Sequence, residues 1–302
     1  MAHARTHFDP IGPYDLELVA HGANDPTRRR VDGVLELAFE ADGLPAHARV
    51  AQRRGGRVEV AVTAENTDAA LAHLRYILAV DNDHTSFLRK FARDPLIGEA
   101  TRRFQGMRPM RRATVQHALV RALCGQLITA REARLLEARL IRRYCTRHGE
   151  LYLPPTQATF GNVSVAELCR AGLVARKAST LVRLSRSVDL ERLHQLPTDA
   201  VVARLNRERG LGPWSAGVIC LEGLGRTEHG LVGDLTFVKY CTAQLGREAT
   251  SEDTARLLAP YGEWAGYASL YLMASGIGGK ADLEVRRLRH ERNGKARRAA
   301  AA

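Results

Sequence analysis

The chain reads as an α+β protein, with a small antiparallel-sheet domain at its N-terminus followed by an all-α domain. Three observations predict this. Strand-length apolar patterns are confined to residues 12–65. Helical spacing takes over from Thr67 onward. Late in the chain, RLNRERGLGPWSAG joins two helix patterns through a glycine-rich hairpin.

Taken in order, YDLELVA and GVLELAFEA read as strands, and ARVAQRRGGRVEVAV reads as two more about a Gly55-Gly56 turn. Thr67 opens a helix whose Leu71, Leu74, Ile77 and Leu78 share one face. Residues 12–88 are thus expected to form a sheet backed by a helix. From Thr85 the pattern is helical, and VQHALVRALC places Val115, Leu119 and Leu123 on one stripe. Gly125-Gln126-Leu127-Ile128 then connects to a new helix, because Thr129-Ala130-Arg131-Glu132 matches a capping box. Ser164-Val165-Ala166-Glu167 opens a short helix ended by Gly172. Further helices are predicted over 175–187, 199–206, 213–224, 235–245, 252–259 and 263–275, within a helical domain spanning 89–285. Residues 286–302 form a basic tail, expected to be disordered past Gly294.

With 45% hydrophobic residues in 302, the chain has enough apolar material to fold around a core. Neither a membrane-length apolar run nor a secretory signal core is found, so a cytoplasmic protein is expected. The net charge of +12 is unevenly placed: residues 1–88 carry 9 basic and 13 acidic side chains, residues 89–302 carry 36 and 20. A basic field on one part of a molecule suits a polyanion such as DNA, although an arginine-rich solvated surface gives the same count. Cys124, Cys145, Cys169, Cys220 and Cys241 are scattered and include no Cys-x-x-Cys pair. That spacing offers neither a zinc site nor an iron–sulfur cluster.

The hairpin carries the most chemistry. Gly210 and Gly212 allow a tight turn, and Pro213 takes the favoured first position of the next helix. Such a helix start presents unpaired N–H groups and a positive dipole end to a phosphate. Asp234, in VGDLTFVKY, stands at another helix start, where the side chain serves equally as an ordinary N-cap. Together GLGPWSAG, the Asp234 segment 20 positions beyond Trp214, and the earlier ALVRALCGQLITAREA resemble the helix-hairpin-helix DNA glycosylase superfamily. The likeness is greatest to bacterial 3-methyladenine DNA glycosylase II, including the sheet domain that this group carries at its N-terminus.

The resemblance implies a monofunctional enzyme that flips alkylated bases out of double-stranded DNA and excises them hydrolytically. The 3-methyladenine and 7-methylguanine class is the implied substrate. Asp234 would stabilise positive charge on the sugar or align the attacking water. Trp214 stands where strand-nicking relatives carry a Schiff-base lysine, so no lyase activity is implied. Leu127 matches the wedge that fills the gap left by a flipped nucleotide, although an isolated loop leucine commonly packs into a core. Gln126 would contact neighbouring bases; Gly210, Gly212 and the N–H groups near Ser215 would meet phosphates. Trp214, Trp264, Tyr267, Tyr271 and Met273 are candidates for a base pocket, with core packing as the competing role for the aromatic residues. The backbone carbonyls of Asn206, Glu208 and Gly210 would hold a structural Na or K ion, and no cofactor is required. A monomer acting on damaged duplex, away from membranes, is expected. Two other readings stay open: a non-catalytic hairpin protein, and a glycosylase for oxidised or deaminated bases.

Overall fold

The computed structural model describes residues 1–53 and 56–279. Gly55 of the expected turn and the basic tail 286–302 lie outside the described residues.

Five strands, β1 (Ala2–Phe8), β2 (Arg28–Val31), β3 (Val34–Ala41), β4 (Leu44–Gln52) and β5 (Val58–Ala64), form one antiparallel sheet in the order β1-β5-β4-β3-β2. Leu35, Leu37 and Phe39 of β3 join Val50, Val58, Val60 and Val62 in a buried layer. Two helices belong to this part, α1 (Leu16–Val19) and α2 (Thr67–Leu78), and α2 closes the layer with Leu74, Ile77 and Leu78.

Two expectations change here. The YDLELVA segment is helical rather than extended, because Asp15 Oδ1 accepts from Glu17 N at 2.8 Å and caps α1. The sheet also begins at Ala2, ahead of residue 12. β1 is an edge strand whose pattern AHARTHF is mostly polar and exposed, so apolar patterning could not reveal it.

The remaining helices are α3 (Thr85–Lys90), α4 (Gly98–Arg103), α5 (Val115–Gly125), α6 (Ala130–Tyr144), α7 (Gln157–Gly161), α8 (Val165–Arg170), α9 (Ala175–Ser187), α10 (Thr198–Arg207), α11 (Pro213–Val218), α12 (Leu235–Leu245), α13 (Ser251–Leu258) and α14 (Ala265–Ala274). A π-helical turn, Ile219–Gly223, prolongs α11. The capping boxes at Thr129 and Ser164 form as expected. These helices enclose a second core between Phe87 and Ile277, separate from the core of the sheet. A two-stranded ribbon, β6 (Arg147–His148) and β7 (Leu151–Tyr152), reaches back to the sheet domain through Tyr152 N–H, which donates to Pro26 O at 2.8 Å. Among the described residues, no helix is long and apolar enough to cross a membrane.

A buried ionic cluster joins the two parts. Arg112 Nη1 lies 2.8 Å from Asp25 Oδ2 of the sheet domain and 3.0 Å from Glu137 Oε1 of α6. Its Nε donates to Glu222 Oε2, in the π turn after α11, at 3.0 Å. Burial raises the carboxyl pKa values of Asp25, Glu137 and Glu222, but the surrounding positive charges and hydrogen bonds, led by Arg28 at Asp25 and by Arg112 at Glu137 and Glu222, together hold all three below the ordinary range. Arg112 thereby fixes α6 and the prolongation of α11 relative to the sheet domain. Nothing in the local sequence pattern marks these residues, because the bonds of the cluster span up to 110 positions of chain.

Candidate active site and DNA interface

The hairpin between α10 and α11 turns at Gly210, whose φ of +95° belongs to the left-handed region. Leu211 N–H donates to Glu208 O at 3.0 Å to close the turn. Thr180 of α9 and Arg183 both donate to Arg209 O, at 3.3 and 2.9 Å. A Cβ on Gly210 would collide with Thr180 Oγ1, whereas one on Gly212 would meet open space. Pro213 opens α11, whose first-turn N–H groups have no partner within the helix.

α11 then packs backbone to backbone on the segment that carries Asp234. A Cβ on Gly217 would stand 2.6 Å from Gly230 O, so only glycine permits the approach. Leu231 N–H donates to Ser269 Oγ at 3.0 Å, and Gly233 N–H donates to Thr254 Oγ1 at 2.7 Å. Those bonds hold the loop to α14 and α13. Asp234 is the N-cap of α12, with Oδ1 accepting from Thr236 N at 2.8 Å. Its other oxygen accepts from Trp214 Nε1 at 2.9 Å. The carboxylate is therefore a cap and also a fixed, half-buried acceptor beside the hairpin, with a further acceptor position left on each oxygen.

Leu127 lies in the connection between α5 and α6, is 89% exposed, and has φ +59°. It is not tucked into the core. The Gln126 side-chain amide donates to Gly210 O at 2.9 Å and to Ser215 Oγ at 3.0 Å, tying this connection to the hairpin. Ser215 is itself buried, and its hydroxyl accepts from Gln126.

The five side chains expected to form a base pocket are differently placed: Trp264, Tyr267 and Tyr271 gather on Phe87, with the Trp264 and Tyr267 ring centroids 6.1 Å apart. Trp214 is beside Asp234, and Met273 is exposed. Trp264 is partly buried, with its ring centroid 5.9 Å from that of Phe87. Tyr267 and Tyr271 are closed into the core. Tyr267 stacks on His84, and Tyr271 Oη donates to Phe104 O at 2.9 Å. Core packing absorbs these two tyrosines because the helical stripe that carries them faces Phe87 and His84 of the α3 region.

The carbonyls expected to hold a monovalent cation are already engaged in part: Glu208 O accepts from Leu211 N, and Gly210 O from Gln126 Nε2. Each of these oxygens keeps a second lone pair, and excision by Asp234 requires no such ion. Asp25, His117 and Glu137 converge with metal-ligand spacing, but Arg112 Nη1 fills the convergence, 2.8 Å from Asp25 and 3.3 Å from His117. A guanidinium is the cation there, and its charge opposes a metal ion.

Arg131, Arg134, Arg176, Arg207 and Arg209 are exposed on and around these elements, and among the described residues none is ion-paired. Arg207 and Arg209 flank Glu208 in the hairpin itself. Arg131 follows Leu127 by four residues, and Arg176 precedes Lys177, whose Nζ donates to Gln126 O at 2.7 Å.

No family model matches the chain. It is 22% identical over 205 residues to a DNA-3-methyladenine glycosylase of Bacillus subtilis (strain 168), covering 64% of this chain and 67% of that protein. The 3-methyladenine DNA-glycosylase from Archaeoglobus fulgidus superposes with a TM-score of 0.76 at 21% identity, covering 89% of this chain and 96% of that one. The apo form of the 8-oxoguanine glycosylase/lyase of Clostridium acetobutylicum gives a TM-score of 0.71 at 13% identity, covering 89% and 97%. With its sheet domain, glycine-turned hairpin and capped Asp234, the chain has the fold of the helix-hairpin-helix DNA glycosylases.

Proposed function

We propose that the protein is a monofunctional DNA glycosylase that excises alkylated bases of the 3-methyladenine and 7-methylguanine class from duplex DNA, leaving an abasic site. The observation that carries the proposal is the fixed Asp234 carboxylate, held by Thr236 N–H and Trp214 Nε1 beside the hairpin. Leu127, projecting from the adjacent connection, would fill the space of the extruded nucleotide. The first turn of α11 and the unpaired arginines would hold the phosphates, which supports double-stranded DNA as the partner of a monomer.

An alkylated base of this class carries a positive charge while attached and leaves neutral. The C1′–N bond breaks with its electron pair going to the base, and the sugar becomes cationic. Asp234 stabilises that charge in a site where a preorganised partner needs no reorganisation. Water adds its oxygen to C1′ and gives its proton to solvent, so no cofactor is consumed. The leaving group's own charge reduces what the pocket must supply, which agrees with a site into which Tyr267 and Tyr271 do not open. A neutral oxidised or deaminated base would need hydrogen bonds to its edges for recognition. With Trp214 in the lysine position, no covalent sugar adduct is formed.

Base release from duplexes bearing single defined lesions, followed under single-turnover conditions, tests the proposal. Asp234→Asn should keep the fold, since Asn caps about as well as Asp. It should slow excision on the order of 10²- to 10³-fold. A variant that folds, binds DNA and excises at the parent rate would leave Asp234 as a cap only, and the non-catalytic reading would lead. A borohydride-trapped adduct would overturn the monofunctional assignment.

A further inference from the structure

Leu127 presents two features that oppose each other. A leucine side chain exposed to water gains nothing from packing, and its left-handed backbone costs roughly 1–2 kcal/mol for an L-residue. The neighbouring bonds explain how it stays there. Lys177 of α9 is only 7% exposed, and its Nζ donates to Gln126 O at 2.7 Å. Among the described residues no carboxylate pairs with it, so the part-buried ammonium of this lysine is spent on one backbone carbonyl next to Leu127. Buried lysines are rare without a charged partner, which makes the contact a costly one to maintain for packing alone. From the same residue, the Gln126 amide donates to Gly210 O and Ser215 Oγ of the hairpin. On the other side, the Thr129 capping box fixes the start of α6.

We infer that Lys177 and Gln126 form a clamp that pre-sets Leu127 as a wedge and couples it to the phosphate-binding hairpin. Both are positioning residues for nucleotide extrusion, acting through Leu127. The clamp grips the carbonyl with an ammonium and the hairpin with a carboxamide, so the wedge is already ordered when the hairpin meets DNA. Ordering a loop in its bound form before association removes an entropic cost from the bound state. The inference rests on the wedge role proposed above.

The test follows extrusion by the fluorescence of 2-aminopurine placed beside the lesion, with single-turnover excision measured in parallel. Lys177→Met keeps the aliphatic stem and removes the donor; Gln126→Leu removes the carboxamide. Each should slow extrusion from a fully paired duplex by about tenfold, the factor that releasing roughly 1.4 kcal/mol of ordering would give. On a mismatched lesion, where extrusion is already cheaper, the loss should nearly vanish. In a Leu127→Ala background neither substitution should add to the defect, whereas additive losses would overturn the clamp. If Leu127→Ala slows extrusion and the two clamp variants do not, the clamp falls and the wedge stands. If Leu127→Ala has no effect, the wedge reading falls first. Should Lys177→Met fail to fold, Gln126→Leu on the same duplexes decides the matter alone.

Discussion

Trp214 Nε1 donates to Asp234 Oδ2 at 2.9 Å, joining the first turn of the hairpin helix to the cap of α12 across 20 residues of chain. The bond gives the tryptophan a positioning role that a merely packed indole would not have. Its partner oxygen on Asp234 is occupied by a backbone N–H, so the carboxylate is held from two directions. Rigid placement of this kind is what electrostatic stabilisation of a developing charge requires.

Replacing Trp214 with Phe keeps an aromatic ring and removes the donor. Hydrogen bonds to charged groups contribute about 1.5–3 kcal/mol, so single-turnover excision should fall roughly 10- to 100-fold. DNA affinity should stay near that of the parent. An affinity loss as large as the rate loss would show that the ring, and not the bond, is what matters.

The two hairpin glycines should behave oppositely. At Gly210 alanine faces both a φ of +95° and a collision with Thr180 Oγ1, and should destabilise the fold by at least about 2 kcal/mol. Gly212 has φ −136° and open space, so its alanine variant should hold stability within about 0.5 kcal/mol. On the proposed phosphate contact at the hairpin it should nevertheless bind duplex more weakly, because the added methyl would crowd that approach. Denaturant melts and a titration with duplex separate the two; equal melting midpoints would refute the contrast.

Binding of duplex should weaken steeply with salt. Removing one phosphate-contacting charge lowers the slope of log affinity against log salt by about 1. Arg207→Gln and Arg209→Gln should each do so with little change in stability, since neither residue is ion-paired among the described residues. Slopes unchanged in both variants would place the duplex elsewhere on the surface.

His84 makes stability depend on pH. Burial, then the nearby Arg108 charge, lowers its pKa to about 4. Tyr267 stacks on the ring, Tyr271 Oη lies 3.3 Å from Nε2, and Asp83 opposes the shift only weakly. The folded state therefore favours neutral imidazole. Its contribution is complete above the ordinary value near 6.5 and is lost as pH falls from there toward 4. At most roughly 3 kcal/mol is involved. The depressed carboxyls of Asp25, Glu137 and Glu222 act in the same direction but below about pH 4.5, so the windows are separable. Melting temperature followed from pH 7 to 4 should drop for the parent and less for His84→Phe. Parallel curves would assign the acid sensitivity to other groups.

The sequence by itself determined whatever is written in short-range pattern. The capping boxes at Thr129 and Ser164, the helix over 175–187, the Gly-x-Gly-Pro hairpin and the cap at Asp234 all follow from neighbours within a few residues, where local hydrogen bonding decides the conformation. Only the tertiary structure decided which side chains meet. The polar strand Ala2–Phe8 became legible once β5 stood beside it. Tyr267 and Tyr271 were absorbed by the core because α3 covers their face. The bond from Trp214 to Asp234, the Lys177–Gln126 contact and the bonds of Arg112 join residues 20, 51 and up to 110 positions apart. Such pairs depend on how helices cross and on which polar groups burial leaves in need of partners, and neither is encoded in the spacing of any single segment.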